Sequence, residues 1–170
     1  MTTHSPNDVS TTDLAREYTR WKRRCLTEAR DKRTRLIVVA PFDEDLIVLL
    51  DILGRTNWDF SWWMSCAETV ATLQKEVVPV VVCESALPDG SWQDLLAEAT
   101  RLTEPPLLIV TSRLADERLW AEALNLGAYD VLAKPFGADE VVHVIRSAFR
   151  AWHNNREAKK KADEKLARSA

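Results

Sequence analysis

The stretch Val77–Gly90, VVPVVVCESALPDG, limits the fold more than any other. It opens with an apolar, largely β-branched run from Val77 to Cys83, too short for a helix. Such a run reads as a strand buried on both faces, and strands of that kind belong to parallel sheets covered by helices. The run halts at Glu84. Open α/β sheets place their chemistry at the carboxyl ends of central strands, so a carboxylate there marks a candidate site. Pro88-Asp89-Gly90 then turns the chain. Trp92, Leu95 and Leu96 follow at helical spacing.

The same alternation recurs along the chain. Leu36–Ala40 (LIVVA) predicts a first buried strand, followed by the loop Pro41–Asp45. A helix comes next, with Leu46, Leu49, Leu50 and Leu53 on one face until Gly54 ends it. Trp58–Met64 predicts a second strand and Ala67–Lys75 a second helix. The helix after the third strand covers about residues 91–102. Pro105-Pro106 introduces a fourth strand, Leu107–Thr111, and a helix over about 114–126 closed by Gly127. Asp130–Ala133 predicts a short fifth strand. Lys134-Pro135-Phe136-Gly137 breaks the chain before a last helix from near Ala138, with Val141, Val142, Ile145, Ala148, Phe149 and Trp152 inward. Repeated βα units predict an α/β fold: a five-stranded parallel sheet in the flavodoxin-like order 2-1-3-4-5, with helices on both faces. Ala40, Pro41, Asp43, Glu84, Thr111 and Lys134 then gather at one rim.

Charge divides the chain into three. The net charge is −3, but residues 1–13 carry −2, residues 14–35 carry +6 and residues 150–170 carry +4, leaving −11 on residues 36–149. This predicts a basic helical extension over residues 1–34, a domain over 35–150 and a basic helical tail over 151–170. Residues 1–12 have the Ser/Thr/Asn/Pro-rich composition of a disordered segment. Asp13 is placed to cap a helix to about Arg33, with Leu14, Tyr18, Trp21, Cys25 and Leu26 on one side. That stripe predicts docking, on the domain or across a dimer, with Trp21 as anchor. The ordinary reading of both arms is solvated helical faces; the sharper one is contact with an anionic partner. Both arms also carry acids and few aromatics for base stacking, which argues against nucleic acid.

Other chemistry finds little support. Gly54, Gly90, Gly127 and Gly137 are too scattered for a phosphate-binding loop. His4, His143 and His153 lack metal-ligand spacing; His153 and Glu157 are one helical turn apart, which is more often plain surface. Ser85 and Ser112 have no histidine partner in any motif. No apolar run approaches the roughly 20 residues of a membrane helix. The polar first 20 residues do not read as a signal peptide. Cys25, Cys66 and Cys83 lack CxxC pairing, which suits reduced thiols in a cytoplasmic protein.

Four motifs in order then resemble one family, the receiver domain of two-component response regulators, over about residues 35–150. LIVVA resembles the first strand, and VVVCESALPDG the phosphoacceptor strand and its loop. LIVTS places Thr111 at the hydroxyl position, and Lys134-Pro135-Phe136 matches the family's KPF, whose Lys-Pro peptide is usually cis. The departures weigh as much. The resemblance implies two Mg²⁺-holding acids where this chain has Ala40-Pro41. It implies a phosphoacceptor Asp where this chain has Glu84, and a switch aromatic where it has Val131. Of the active rim, Thr111, Lys134 and Pro135 remain. Asp43 and Glu44, in a loop longer by one residue, are candidate substitute acids.

Phosphoryl transfer depends on positioning and on charge neutralisation, usually by Mg²⁺. Mg²⁺ requires close octahedral oxygen ligation, which this rim is poorly equipped to supply. Glutamate also carries its oxygens one methylene too far for in-line geometry. The chain therefore reads as an atypical, single-domain receiver with no output domain after it. It is expected to act as a protein-interaction module, not an enzyme, with no cofactor and with Mg²⁺ binding weak or absent. The partner implied is a signalling protein, a histidine kinase or downstream effector, met by the face of the fourth helix, fifth strand and fifth helix. A homodimer is left open. The alternatives are a working phosphoacceptor using Glu84 or a displaced acid, and a nucleic-acid-associated module using the basic arms.

Overall fold

The apolar runs form one parallel sheet. Its strands are β1 (Asp31–Val39), β2 (Trp58–Trp63), β3 (Val80–Glu84), β4 (Leu107–Ser112) and β5 (Asp130–Ala133). They pair in the order β2-β1-β3-β4-β5, every pair parallel. Side chains alternate between the two faces. Ile37, Val39, Val81, Cys83, Leu108 and Val110 join one cluster with residues of α2 (Cys66–Leu73), α3 (Trp92–Ala99) and α4 (Glu117–Leu126). Leu36, Val38, Val80 and Val82 point the other way, toward α1 (Glu44–Gly54) and α5 (Ala138–Ser169). These two helices bury Leu46, Leu49, Leu50 and Leu53, and Val141, Ile145, Ala148 and Phe149. Trp58 meets Phe149 edge-on at 5.4 Å between ring centroids.

The computed structural model describes residues 31–169, together with Arg16 and Thr19, both helical. The chain divides into two compact units, Met1–Arg30 and Asp31–Ala170. The expected disordered segment, and the helix with its anchor Trp21 and thiol Cys25, lie outside the described residues. Among the described residues no helix is long and apolar enough to cross a membrane.

Side-chain caps set the helix starts. Asp43 Oδ1 accepts from Leu46 N–H at 2.8 Å, and Asp116 Oδ1 from Leu119 N–H at 2.9 Å. Ser91 and Asp94 form a reciprocal capping box on α3. Asp116 explains why α4 begins at Glu117 rather than near 114. Gly127 ends α4 at φ 104°, a left-handed conformation that glycine adopts without a Cβ penalty.

One boundary differs from expectation. Residues 31–33, read as the end of the N-terminal helix, are strand. Asp31 pairs with Trp58, and a register irregularity before Leu36 absorbs the extra length. The last helix runs on through the basic tail, α5 continuing unbroken for 32 residues to Ser169. From Asn154 onward all its described residues are exposed. Its middle is fastened at the amino end of the sheet. Trp152 Nε1–H donates to the Pro105 carbonyl at 2.9 Å. Arg156 Nε pairs with Glu104 Oε2 at 2.6 Å while its guanidinium lies 5.3 Å from the Trp152 ring. Lys159 Nζ donates to the Thr103 carbonyl at 3.2 Å. Positions 152, 156 and 159 share one helix face, so three contacts follow one loop.

Candidate functional site at the carboxyl rim

Parallel strands end together, so the last residues of β3, β4 and β5 share one rim. Glu84 lies beside Thr111 in register, and Ser112 beside Ala133. Lys134 follows β5, its N–H donating to the Ser112 carbonyl at 3.0 Å, and the Lys134-Pro135 peptide is cis. The Lys134 side chain, only 6% exposed, ion-pairs with Glu84 Oε2. Thr111 Oγ–H donates to the same oxygen at 3.2 Å, and Ser85 Oγ–H donates to Oε1 at 3.3 Å. A largely buried carboxylate is costly unless paired and hydrogen-bonded. Glu84 has three partners on its two oxygens.

The loop after β1 adds an acid. Asp45 Oδ2 lies 3.4 Å from Lys134 Nζ, and Nε and Nη2 of Arg113 each reach it at 2.8 Å. The Arg113 guanidinium is held above its ordinary pKa, first by the hydrogen bond to Asp45 and then by its charge. The order of charges is Arg113, Asp45, Lys134, Glu84, with opposite signs adjacent throughout. Beneath them, Ala40, Leu46, Leu49, Val82, Glu84, Thr111, Lys134 and Phe136 line a gap of about 10 Å³. That is roughly the room one water needs.

The remaining residues singled out in the sequence fall as follows. Ala40 is buried; its N–H donates to the Trp63 carbonyl at 3.1 Å, and its carbonyl accepts from Trp62 Nε1–H at 2.9 Å. Pro41 is half-buried, and Phe42 packs on Trp62 with centroids 5.6 Å apart. Asp43 is the helix cap, and Glu44 is exposed in the first turn. Glu84, Thr111 and Lys134 are thus brought together, and Asp43 and Glu44 are not brought to them. Sequence reasoning passed over Asp45 and Arg113. The available signals were helix phase, two residues past the cap Asp43, and proximity in the chain to Thr111.

The loop after Glu84 is also pinned. A two-residue antiparallel ladder, Ala86–Leu87 against Gly90–Ser91, brackets the turn. Asp89 then accepts from the N–H groups of Cys66 at 2.8 Å and Ala67 at 3.0 Å, at the start of α2. These backbone bonds hold its carboxyl below the usual pKa. Burial, then Asp89 and Asp94, push the Cys66 thiol up to about 11. Burial raises Cys83 well above its ordinary value. Both stay protonated near neutrality, as structural thiols do. Among the described residues no group of three or more His, Cys, Asp or Glu is placed to hold a metal.

Topology and rim together define a flavodoxin-like α/β domain with its candidate site at the strand ends. The chain belongs to the response regulator receiver domain family, whose model matches residues 42–146. It is 29% identical over 113 residues to the transcriptional regulatory protein KdpE of Staphylococcus aureus, covering 66% of this chain and 46% of that protein. It thus spans less than half of that relative's length. It is 23% identical over 100 residues to the chemotaxis protein CheY of Thermotoga maritima, covering 58% of this chain and 83% of CheY. Among solved structures, the receiver domain of an HD domain-containing protein from Pseudomonas fluorescens Pf-5 superposes with TM-score 0.66 at 23% identity, covering 77% and 98% of the two chains. The receiver domain of the sensor histidine kinase PA1611 of Pseudomonas aeruginosa, which carries a magnesium ion in its active-site cleft, gives TM-score 0.61 at 15% identity and covers 68% and 97%.

Proposed function

We propose that this chain is a degenerate receiver: a protein-interaction module of two-component or phosphorelay signalling that works without efficient Mg²⁺-dependent phosphorylation. The observation that carries the reading is the Lys134 ammonium lying between Glu84 and Asp45. An ammonium there neutralises both carboxylates, which is the role a divalent cation would have. Ala40 and Pro41 offer no side-chain oxygen, so the donors present do not fit Mg²⁺, which takes hard oxygen ligands in near-octahedral array. The gap that Glu84, Thr111 and Lys134 line, about 10 Å³, is also too small for a phosphoryl group while the pair is closed. A single state of the rim is then presented to the partner, a histidine kinase or downstream effector. The surface offered is that of α4, β5 and α5, where Leu124 and Leu126 are exposed.

The test is incubation with a small acyl phosphate and Mg²⁺, followed by intact-mass measurement. No added phosphoryl group is expected. An adduct that disappears in Glu84→Gln would instead establish a working phosphoacceptor. The approach of Asp45 to the rim is the one feature favouring that second reading, since it supplies an acid that the strand end lacks.

A further inference from the structure

Asp45 lies in the first turn of α1 and Arg113 in the loop between β4 and α4, 68 positions apart in sequence. Two nitrogens of Arg113 converge on one oxygen of Asp45, each at 2.8 Å. That oxygen is shared with Lys134 at 3.4 Å. The row of charges therefore rises from Lys134, 6% exposed, to Arg113, 70% exposed. The residue after Arg113 is Leu114, an aliphatic side chain left 81% exposed. Its N–H donates to Ser112 Oγ at 3.1 Å, and Asp116 N–H donates to its carbonyl at 2.9 Å. Arg113 and the projecting Leu114 thus sit in one short loop, joined to α1 through the ion pair with Asp45.

We propose that the Asp45–Arg113 pair is a strap from α1 to the β4–α4 loop. Closed, it holds the β4–α4 loop in one conformation and keeps Leu114 turned to solvent. Open, it releases the loop without unfolding the domain. Its exposed end is the end a binding partner meets first, so a partner that takes either charge opens it. The strap extends the reading of a fixed rim by naming what fixes the loop. Its geometry holds whether or not Glu84 accepts a phosphoryl group.

Amide hydrogen exchange on the full chain tests it, with the N–H groups of Leu114 and Asp116 as reporters. In Arg113→Met, and in Asp45→Asn, exchange at these two amides is expected to quicken about threefold to tenfold. Exchange at the Lys134 amide, bonded to the Ser112 carbonyl within the sheet, should not change. Unchanged exchange at Leu114 and Asp116, or equal acceleration across the whole domain, overturns the strap. Salt gives a second measurement that needs no variant. Raising ionic strength to about 1 M shortens the screening length to about 3 Å and should quicken the same two amides in the wild-type chain. Arg113→Met should lose that salt dependence, and a wild-type chain indifferent to salt contradicts the proposal. A Glu84 adduct with normal strap behaviour would remove only the functional reading. Salt-insensitive amides without an adduct would remove only the strap.

Discussion

The two ends of the sheet are fastened by different physics. At the carboxyl rim four charges of alternating sign tie α1, β3, β4 and β5, and the tie runs out into solvent at Arg113. At the amino end a buried indole, two backbone carbonyls and one ion pair tie α5 to the loop before β4. Apolar burial with a satisfied donor holds whatever the charge state, whereas a row of charges is only as firm as its least compensated member. The clamped end is built to stay shut, and the charged end is where the molecule can respond.

The sharpest contrast comes from removing one anchor at each end. Trp152 is 5% exposed, and Trp152→Ala should cost about 3–5 kcal/mol by urea denaturation, leaving the Pro105 carbonyl without its donor. Lys134→Met should cost about 2–3 kcal/mol, because Glu84, 13% exposed, is left uncompensated. Adding Glu84→Gln to that variant should recover much of the loss. If Lys134→Met alone were neutral, the two ends would not differ in the way described.

Acid separates them further. Asp89 has a folded pKa below its ordinary value, so its stabilisation is complete above the unfolded value near 4 and is lost as pH falls through the folded one. Denaturant melts below about pH 4 should therefore show a steeper loss for the wild-type chain than for Asp89→Asn. The clamp at the amino end supplies the smallest effect. Arg156→Gln should change stability by less than about 1 kcal/mol, since Arg156 is half in solvent and the indole contact carries most of that end. A larger loss would move the amino end toward the charged class.

Most of the architecture was legible because β-branched runs and helical spacing each point to one structure. Strand order then brings Glu84, Thr111 and Lys134 together with no further information, since parallel strands end on one side. The residues that were missed depend on details that periodicity does not record. Three acids follow one another at 43, 44 and 45, and which one turns inward is decided by the cap. Asp43 takes the N-cap, Glu44 faces solvent, and helix phase carries Asp45 to the rim. Arg113 meets it across 68 positions, a distance over which no local pattern reports. The early start of β1 at Asp31 was hidden for a different reason. Its residues DKRT are polar and carry no apolar alternation, and the strand there shows in the backbone pairing of Asp31 with Trp58.

The central claim is that an ammonium fills the place a divalent cation would take. Mg²⁺ titration calorimetry on the wild-type chain and on Lys134→Met tests it most directly. The wild-type chain should show no saturable binding below millimolar Mg²⁺. Lys134→Met should bind more tightly than wild type, since Asp45 and Glu84 are then left without their shared cation. A tight one-site isotherm in the wild-type chain, unchanged by Lys134→Met, would contradict the account.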